Sequence, residues 1–232
     1  VITYAIQSWE ESEMRLNSRS IDNMEELLMC RSNAIVTFVM PTLIRSSLLT
    51  AIDSILHLES CKWKLIVVHP SENINTNTNT NTNNSPISEN VPLELRFLPS
   101  FVYDDPRIYF LKSSEPVLHN YGGRLRNSAF QYVTTEWTAF LDDDDSISSK
   151  YVNILSDSAD KYINASVFLF RMLSQNLNVI PSLDVKTIKQ NNVGISFVVK
   201  SKIVEPLGGK YKFRDSRFED YLLINEMYEC GE

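Results

Sequence analysis

Four consecutive aspartates, Asp142 to Asp145, have the clearest capacity for chemistry in this chain. They come directly after Trp137-Thr-Ala-Phe-Leu141, an apolar run typical of a buried strand. Adjacent carboxylates repel one another, and a bound cation relieves that repulsion. Their hard oxygen ligands favour Mg²⁺ or Mn²⁺, and such an ion can in turn hold a diphosphate. The alternative is a solvated acidic turn that caps a helix starting near Ser148.

A basic loop, Gly122-Gly-Arg-Leu-Arg-Asn127, precedes the aspartates. Its glycines allow close backbone approach, and the planar fork of Arg124 or Arg126 can bind a phosphate. The alternative is a loop with two solvated arginines. The loop is neither a dinucleotide fingerprint nor a phosphate-binding P-loop, so neither of those functions follows from it.

These groups need a scaffold, and the hydrophobic pattern supplies one. Ala34 to Met40 is a continuous apolar run ended by Pro41, and Lys64 to His69 is a second such strand. Apolar residues at helical spacing lie between them, from Leu48 to Leu56. A strand, a helix and a strand in this order predict a parallel βαβ unit.

The rest of the chain continues the alternation. Further strands are predicted at 107–112, 137–141, 166–172 and 193–199, and further helices after Gly123, from about Lys150, and from Phe218 through Met227. We therefore expect an α/β fold with an open, mostly parallel central sheet flanked by helices. In such sheets ligands bind at the carboxyl ends of the strands, which is the edge where Asp142 to Asp145 fall.

The predicted domain organisation is an N-terminal helical extension over 1–32 and an α/β domain over 33–232. Asp22 and Glu25 resemble a capping box that opens a short helix in the extension. Alternating Asn and Thr from Asn73 to Asn84 bury no apolar surface, so we expect a disordered insertion at about 71–90. The chain begins with Val1 rather than Met, which suggests a piece of a longer protein.

Composition excludes several classes of protein. The 232 residues include 22 Lys and Arg against 29 Asp and Glu, a formal net charge of −7 that argues against a nucleic-acid binder. No apolar run is long enough for a membrane span. Cys30, Cys61 and Cys230 are far apart, and we interpret them as buried small hydrophobes without a disulfide or zinc role. Reduced cysteines favour a cytoplasmic location.

Four segments in order resemble family 2 glycosyltransferases, which have the GT-A fold, a nucleotide-sugar-binding α/β domain. The segments are Phe38-Val-Met-Pro-Thr-Leu-Ile-Arg45, Leu-Arg-Asn127, Trp137 through Asp145, and Gly208-Gly209 followed by Phe-Glu-Asp220. The resemblance covers about 33–229, nearly the whole α/β domain. It implies a UDP- or GDP-sugar type of donor, Mn²⁺ or Mg²⁺ as cofactor, and an acceptor that the motifs do not identify.

The resemblance also implies roles for the donor-side residues. Pro41 and Thr42 would line the nucleotide base pocket, and Arg126 would lie near the diphosphate. Asp142 would face the ribose and Asp144 the metal, which makes both of them metal-site candidates. The neighbouring candidates for nucleotide-sugar binding are Arg45, Asn127 and Asp143.

The resemblance places the chemistry of transfer at Glu219 and Asp220. Asp220 matches the family's catalytic base, which would take the proton of an acceptor hydroxyl while that oxygen displaces the nucleoside diphosphate. One base and no enzyme nucleophile imply inversion at the anomeric carbon. The alternative for this acidic pair is a helix N-terminus whose carboxylates favour the helix dipole.

One departure from the family concerns the second strand, which ends in His69 where the family has an aspartate that contacts the base. His69 can still bind a base, or it can be a strand-end histidine with a structural partner. His57 and His119 are interpreted as structural. A catalytically degenerate nucleotide- or glycan-binding relative therefore stays open, as does a sugar nucleotidyltransferase. The latter would need a glycine-rich loop that Pro41 to Arg45 lacks.

Overall fold

The computed structural model describes residues 22–70, 95–113, 122–174, 176, 178–182, 189–190, 193–204, 211–214, 216 and 218–229. The predicted insertion at 71–90, the Gly208-Gly209 turn, His119 and Cys230 lie outside these residues. Of residues 22 and 23 the backbone alone is described.

Helices and strands alternate through the described chain as the sequence predicts. The helices are Asp22–Ser32 (α1), Leu48–Leu56 (α2), Ser100–Asp104 (α3), Gly123–Ala129 (α4), Tyr151–Lys161 (α5) and Glu219–Glu229 (α6), with 3₁₀ turns at Phe130–Tyr132 and Ser201–Ile203. The strands are Val36–Pro41 (β1), Trp63–Pro70 (β2), Ile108–Ser113 (β3), Trp137–Phe140 (β4), Val167–Leu169 (β5), Met172–Leu173 (β6), Val179–Ile180 (β7) and Phe197–Lys200 (β8).

The central sheet has six strands in the order β3-β2-β1-β4-β8-β5. β1, β2, β3 and β4 run parallel, and β8 runs antiparallel to both of its neighbours. From β1 the chain builds outward through β2 and β3, and it then returns to place β4 on the other side of β1. The order of the strands therefore reverses between β1 and β4, and a reversal of this kind opens a crevice at the carboxyl ends of the two strands.

Both faces of β1 are buried, which explains its unbroken apolar sequence. Phe38 and Met40 belong to one core layer with residues of α2 and α5. Val39 points to the opposite face and packs in a second layer with residues of α4 and α6. Helices cover both sides of the sheet, so the strand ends at its carboxyl edge are held between two packed layers.

The structure confirms the predicted mostly parallel α/β fold and refines some of its edges. The strand predicted over 166–172 is shorter, Val167–Leu169, and Met172–Leu173 instead pairs with Val179–Ile180 in a separate two-stranded sheet. This part of the chain is only half-buried, so its apolar run does not mark one continuous core strand. The predicted N-terminal helix is present as α1.

The interpretation of the cysteines as unpaired is wrong. Cys30, in α1, forms a disulfide with Cys61, just before β2, with Cα atoms 5.5 Å apart. Thirty-one positions separate the two residues, and only the packing of α1 against the start of β2 brings them together. The expectation of a cytoplasmic location depends on reduced cysteines. The disulfide removes that reason, since disulfides persist mainly in oxidising compartments. None of the described helices is long and apolar enough to cross a membrane.

Candidate active site

A polar cleft of about 250 Å³ opens at the carboxyl ends of β1 and β4. Four parts of the chain form it: the loop after β1, the start of α4, the aspartate run after β4, and the start of α6. Its lining residues are Pro41, Thr42, Leu43, Arg45, Gly122, Leu125, Arg126, Asp142, Asp143, Asp144, Ser216, Glu219 and Asp220. The cleft lies at the strand-order reversal, at the carboxyl ends of the strands, which is the edge where the sequence predicts a ligand to bind.

The loop after β1 is tied to the aspartate run by polar contacts. The Thr42 hydroxyl donates to Asp143 Oδ2 at 2.7 Å and accepts from the Ile44 backbone N–H at 2.8 Å. Ile44 has a φ of 62°, a left-handed backbone that a β-branched residue rarely adopts. Arg45 then reaches Asp144 Oδ2 at 3.0 Å. The loop thus turns sharply and brings a half-exposed cation over the cleft.

The four aspartates divide into two groups. Asp143 is 4% exposed and is committed to Thr42, so its carboxylate holds the β1 loop in place. Asp142, Asp144 and Asp145 each offer a carboxylate oxygen within 4.8 Å of the others. Burial, and then the neighbouring charges of Asp142 and Asp144, raise the pKa of Asp145 to about 6. Such mutual repulsion is what a divalent cation would remove, and three carboxylate oxygens suit Mg²⁺ or Mn²⁺.

Arg126 is the buried cation of the site, with 2% of its surface exposed. One end of its guanidinium donates to Asp142 Oδ1 and the other to Glu219 Oε1. The group lies 5.1 Å from the ring centre of Phe213. Burial alone would lower its pKa, but the charges of Asp142, Asp220 and Glu219 outweigh burial and raise it. Arg126 therefore joins the aspartate run to α6 and offsets part of their negative charge.

Glu219 fixes the start of α6 against the start of α4. It is buried and accepts a hydrogen bond from the Gly123 backbone N–H at 2.7 Å, besides its ion pair with Arg126. Burial raises the pKa of Glu219, while Arg126 acts against that rise. A Cβ on Gly123 would collide with the Glu219 carboxylate, so the close approach of these two helices requires glycine at that position.

Asp220 follows in the first turn of α6 and lines the cleft. Its Oδ1 atom is buried, and no hydrogen bond reaches it from the described residues. Burial raises the pKa of Asp220 to about 7; Arg126 lowers it, and Asp142, Glu219 and Asp145 raise it further. An unpartnered carboxylate oxygen whose pKa lies near neutrality has the properties of a general base.

Two predicted site residues lie elsewhere in the described structure. Asn127 exchanges two 2.8 Å hydrogen bonds with the backbone of Phe213, so it holds the segment before α6. His69, at the end of β2, is buried with Nδ1 3.2 Å from the carbonyl oxygen of Pro70, and it is not among the described residues that line the cleft. His57 contacts Asp53, one helical turn earlier, through backbone and carboxylate oxygens.

Three features of this site were not predicted from the sequence. Ser216 lines the cleft just before α6, and no local pattern marks it. Phe213 supplies the aromatic face beneath Arg126, although its sequence neighbourhood is unremarkable. The pairing of Arg126 with Glu219 spans 93 positions. Opposite charges at the starts of two helices offered a hint of this pairing, but a single sequence cannot show that the two helices meet.

Fold comparison finds solved structures that share this chain's fold. The chain is similar to residues 1–349 of S. aureus TarS, with 15% identity and a TM-score of 0.60 over 83% of this chain and 55% of that one. The same protein in complex with UDP-GlcNAc matches with 14% identity and a TM-score of 0.59, over 81% of this chain and 51% of that one. The chain spans about half the length of these structures.

A second similar structure comes from another organism. The mannosyltransferase PcManGT from Pyrobaculum calidifontis, in complex with GDP-Man and Mn²⁺, matches with 16% identity and a TM-score of 0.52, over 85% of this chain and 52% of that one. No protein-family model matches the chain, and no curated protein does. At these identities the likeness shows a shared fold.

Proposed function

We propose that this chain is the catalytic domain of a glycosyltransferase that moves a sugar from a nucleotide-sugar donor to an acceptor hydroxyl. One observation carries the proposal: the cleft at the β1–β4 reversal unites a three-carboxylate cluster with Asp220, whose buried Oδ1 lacks a hydrogen bond from the described residues. Similar structures that hold UDP-GlcNAc or GDP-Man support it. We assign the chain to family 2 on its four sequence motifs.

The proposed reaction is a single displacement with inversion at the anomeric carbon. The acceptor oxygen forms the new bond to that carbon as the bond to the diphosphate oxygen breaks, and the nucleoside diphosphate leaves. Asp220 accepts the acceptor's hydroxyl proton, for which a carboxylate with a pKa near 7 is well matched at neutral pH. Charges on both sides of this step balance without an additional reactant.

The donor set of the aspartate cluster fits a divalent metal. Asp142, Asp144 and Asp145 would hold Mn²⁺ or Mg²⁺, which would supply a positive charge to the departing diphosphate. Arg45 lies over the same cleft, with 47% of its side chain exposed, and can donate to the donor's phosphates. Arg126 forms ion pairs with Asp142 and Glu219. The family resemblance implies a position near the diphosphate, and there its main role would be to hold these two carboxylates.

Further features belong to this proposal. The base pocket would lie at Pro41 and Thr42, the donor would be of the UDP- or GDP-sugar type, and the acceptor is unassigned. The domain would comprise 33–232, with 1–32 as an extension whose α1 is joined to it by the Cys30–Cys61 disulfide. The disulfide favours an oxidising compartment over the cytoplasm.

Calorimetric titration of UDP, GDP, CDP and TDP, each with and without Mn²⁺, tests the proposal. We expect one nucleotide to bind in a Mn²⁺-dependent way. Asp144→Asn should weaken this binding. Asp157→Asn is its matched control, because Asp157 is an exposed aspartate on α5 that does not line the cleft. Binding of no nucleotide would contradict the proposal. Metal-dependent binding without sugar transfer to any acceptor would favour the degenerate relative instead.

A further inference from the structure

A second cavity, of about 520 Å³, lies at the opposite edge of the sheet. We call it the amino-end cavity. Its polar and aromatic lining includes Arg31, Lys64, Asp105, Tyr109, Tyr132 and Thr134. Lys64 and Tyr109 are the second residues of β2 and β3, whereas the catalytic cleft begins at the last residue of β1. Lys64 pairs with Thr37, four residues before Pro41, so at about 3.3 Å of rise per residue Lys64 lies about 13 Å along the strands from the start of the cleft.

Two positively charged side chains, Lys64 and Arg31, line this cavity. Lys64 donates to the Thr134 hydroxyl at 2.7 Å, and no described carboxylate pairs with Lys64 or Arg31. Burial, and then repulsion from Arg31, lower the pKa of Lys64. A bound anion would relieve the repulsion between the Lys64 ammonium and the Arg31 guanidinium.

The acidic residue of the cavity is already committed. Asp105 receives three hydrogen bonds from Arg107, from its backbone N–H at 2.9 Å and from its guanidinium at 3.0 and 2.6 Å. Arg107 in turn stacks 3.8 Å over the ring of Trp63. This buried pair is satisfied, so it neither neutralises Lys64 and Arg31 nor adds a free charge to the cavity.

Aromatic rings form the cavity's other wall. Tyr109 and Tyr132 are 51% and 44% exposed, with ring centres 6.0 Å apart and planes inclined by 37°. Exposed tyrosine faces stack well on a sugar or a base, and a tyrosine hydroxyl can hydrogen-bond to it. A cavity of this volume accommodates a small ligand of monosaccharide or nucleoside size.

We propose that the amino-end cavity binds a phosphate monoester that carries a ring, with the phosphate between Arg31 and Lys64 and the ring against Tyr109 and Tyr132. The phosphate offers the double negative charge that two neighbouring cations need. The ring is a sugar or a nucleoside, and both present a face to the tyrosines. The proposal does not depend on the proposed catalytic function.

Calorimetric titration with inorganic phosphate, glucose 6-phosphate, UMP and uncharged glucose tests this site. We expect a phosphate ester to bind more tightly than inorganic phosphate, and glucose to bind at least tenfold more weakly than glucose 6-phosphate. Preference for glucose 6-phosphate or for UMP identifies the ring. No binding of either ester at concentrations up to about 10 mM would overturn the proposal.

Variants locate the binding and separate it from the cleft. Lys64→Met should weaken ester binding at least tenfold, whereas Lys202→Met, at an exposed lysine elsewhere, should leave it unchanged. Tyr109→Leu should remove the preference for an ester over inorganic phosphate. Arg31→Met, at an exposed helix position, gives the same test if Lys64→Met does not fold. Loss of binding in Asp144→Asn but not in Lys64→Met would place the ligand in the cleft and contradict the proposal.

Discussion

The two edges of the central sheet differ in how they treat charge. At the carboxyl edge, Asp142, Asp144 and Asp145 lie together, and one buried cation, Arg126, offsets part of their charge. At the amino edge, Arg31 and Lys64 line one cavity, and no described carboxylate forms an ion pair with either of them. Each edge therefore holds like charges that a ligand of opposite sign would stabilise.

The difference shows how one scaffold separates rigid from adaptable polar groups. Arg126, Glu219 and Gly123 form a buried network in which each bond fixes a neighbouring element. Lys64 has one hydrogen bond to an exposed threonine, so its ammonium can still donate to a ligand. The carboxyl edge is organised before a ligand arrives, and the amino edge offers charges and ring faces that the fold does not use.

The largest expected effect follows from Asp220→Asn. The amide cannot accept the acceptor's proton, so turnover should fall by about 10²–10⁴-fold. Nucleotide affinity should stay near that of the parent chain, because the change leaves the aspartate cluster intact. Initial transfer rates and calorimetric Kd values check this, with Asp157→Asn as the control. Unchanged turnover would remove Asp220 from the chemistry.

Asp144→Asn should act on the cleft at the level of metal binding. Loss of one carboxylate from the cluster should weaken Mn²⁺-dependent nucleotide affinity by about 10–100-fold, from the loss of a direct charge contact. Calorimetry with and without Mn²⁺ measures the effect. If the affinity keeps its full Mn²⁺ dependence, Asp144 is not a ligand. Ester binding in the amino-end cavity should not change in this variant.

Gly123→Ala tests the rigid network of the carboxyl edge. The added methyl group collides with the Glu219 carboxylate, so α6 must shift or lose its bond to α4. We expect a loss of about 1–3 kcal/mol in the free energy of unfolding, together with lower turnover. Chemical denaturation measures it. Gly194→Ala is the matched control, because its new Cβ would meet the flexible end of Met172. Equal losses in both variants would contradict a special role for Gly123.

The pH dependence of stability tests the raised pKa of Asp220 at the carboxyl edge. The pKa of Asp220 is raised from 3.8 to about 7, so the folded chain binds more protons than the unfolded chain between these values. The stabilisation is complete below the unfolded value and is lost as the pH rises through about 7. Without metal, Tm should therefore fall between pH 5 and pH 7.5, less so in Asp220→Asn. A Tm that rises over this range would refute the raised pKa.

Much of the fold could be predicted from the sequence because the strands are buried on both faces. The apolar runs of β1, β2 and β4 leave little choice of structure, and Pro41 ends β1 as expected. The half-buried run around 166–173 was less informative, and it divides between two sheets. The disulfide was missed because its cysteines meet through the packing of α1, which spacing does not report.

In the candidate site, too, local sequence patterns predict some features, and only the packing of distant segments decides the others. Asp142, Asp144 and Asp220 could be proposed from short motifs, since each lies at the end of an element whose pattern is clear. Arg126 and Asn127 were proposed in the same way, but the partners that the structure gives them, Glu219 and Phe213, lie 93 and 86 positions away. Sequence proximity cannot reveal such partners.

By itself, the sequence determined the residue types and the elements that carry them: an alternating α/β order, an aspartate run after a buried strand, and an acidic pair at a helix start. Only the tertiary structure decided which charges meet. It buried Asp143 beneath Thr42 and turned three other carboxylates toward one another. It also left Oδ1 of Asp220 without a described partner and placed Arg31 and Lys64 in the lining of one cavity. The physical reason is that burial and pairing are properties of neighbours in space, and these neighbours come from distant parts of the chain.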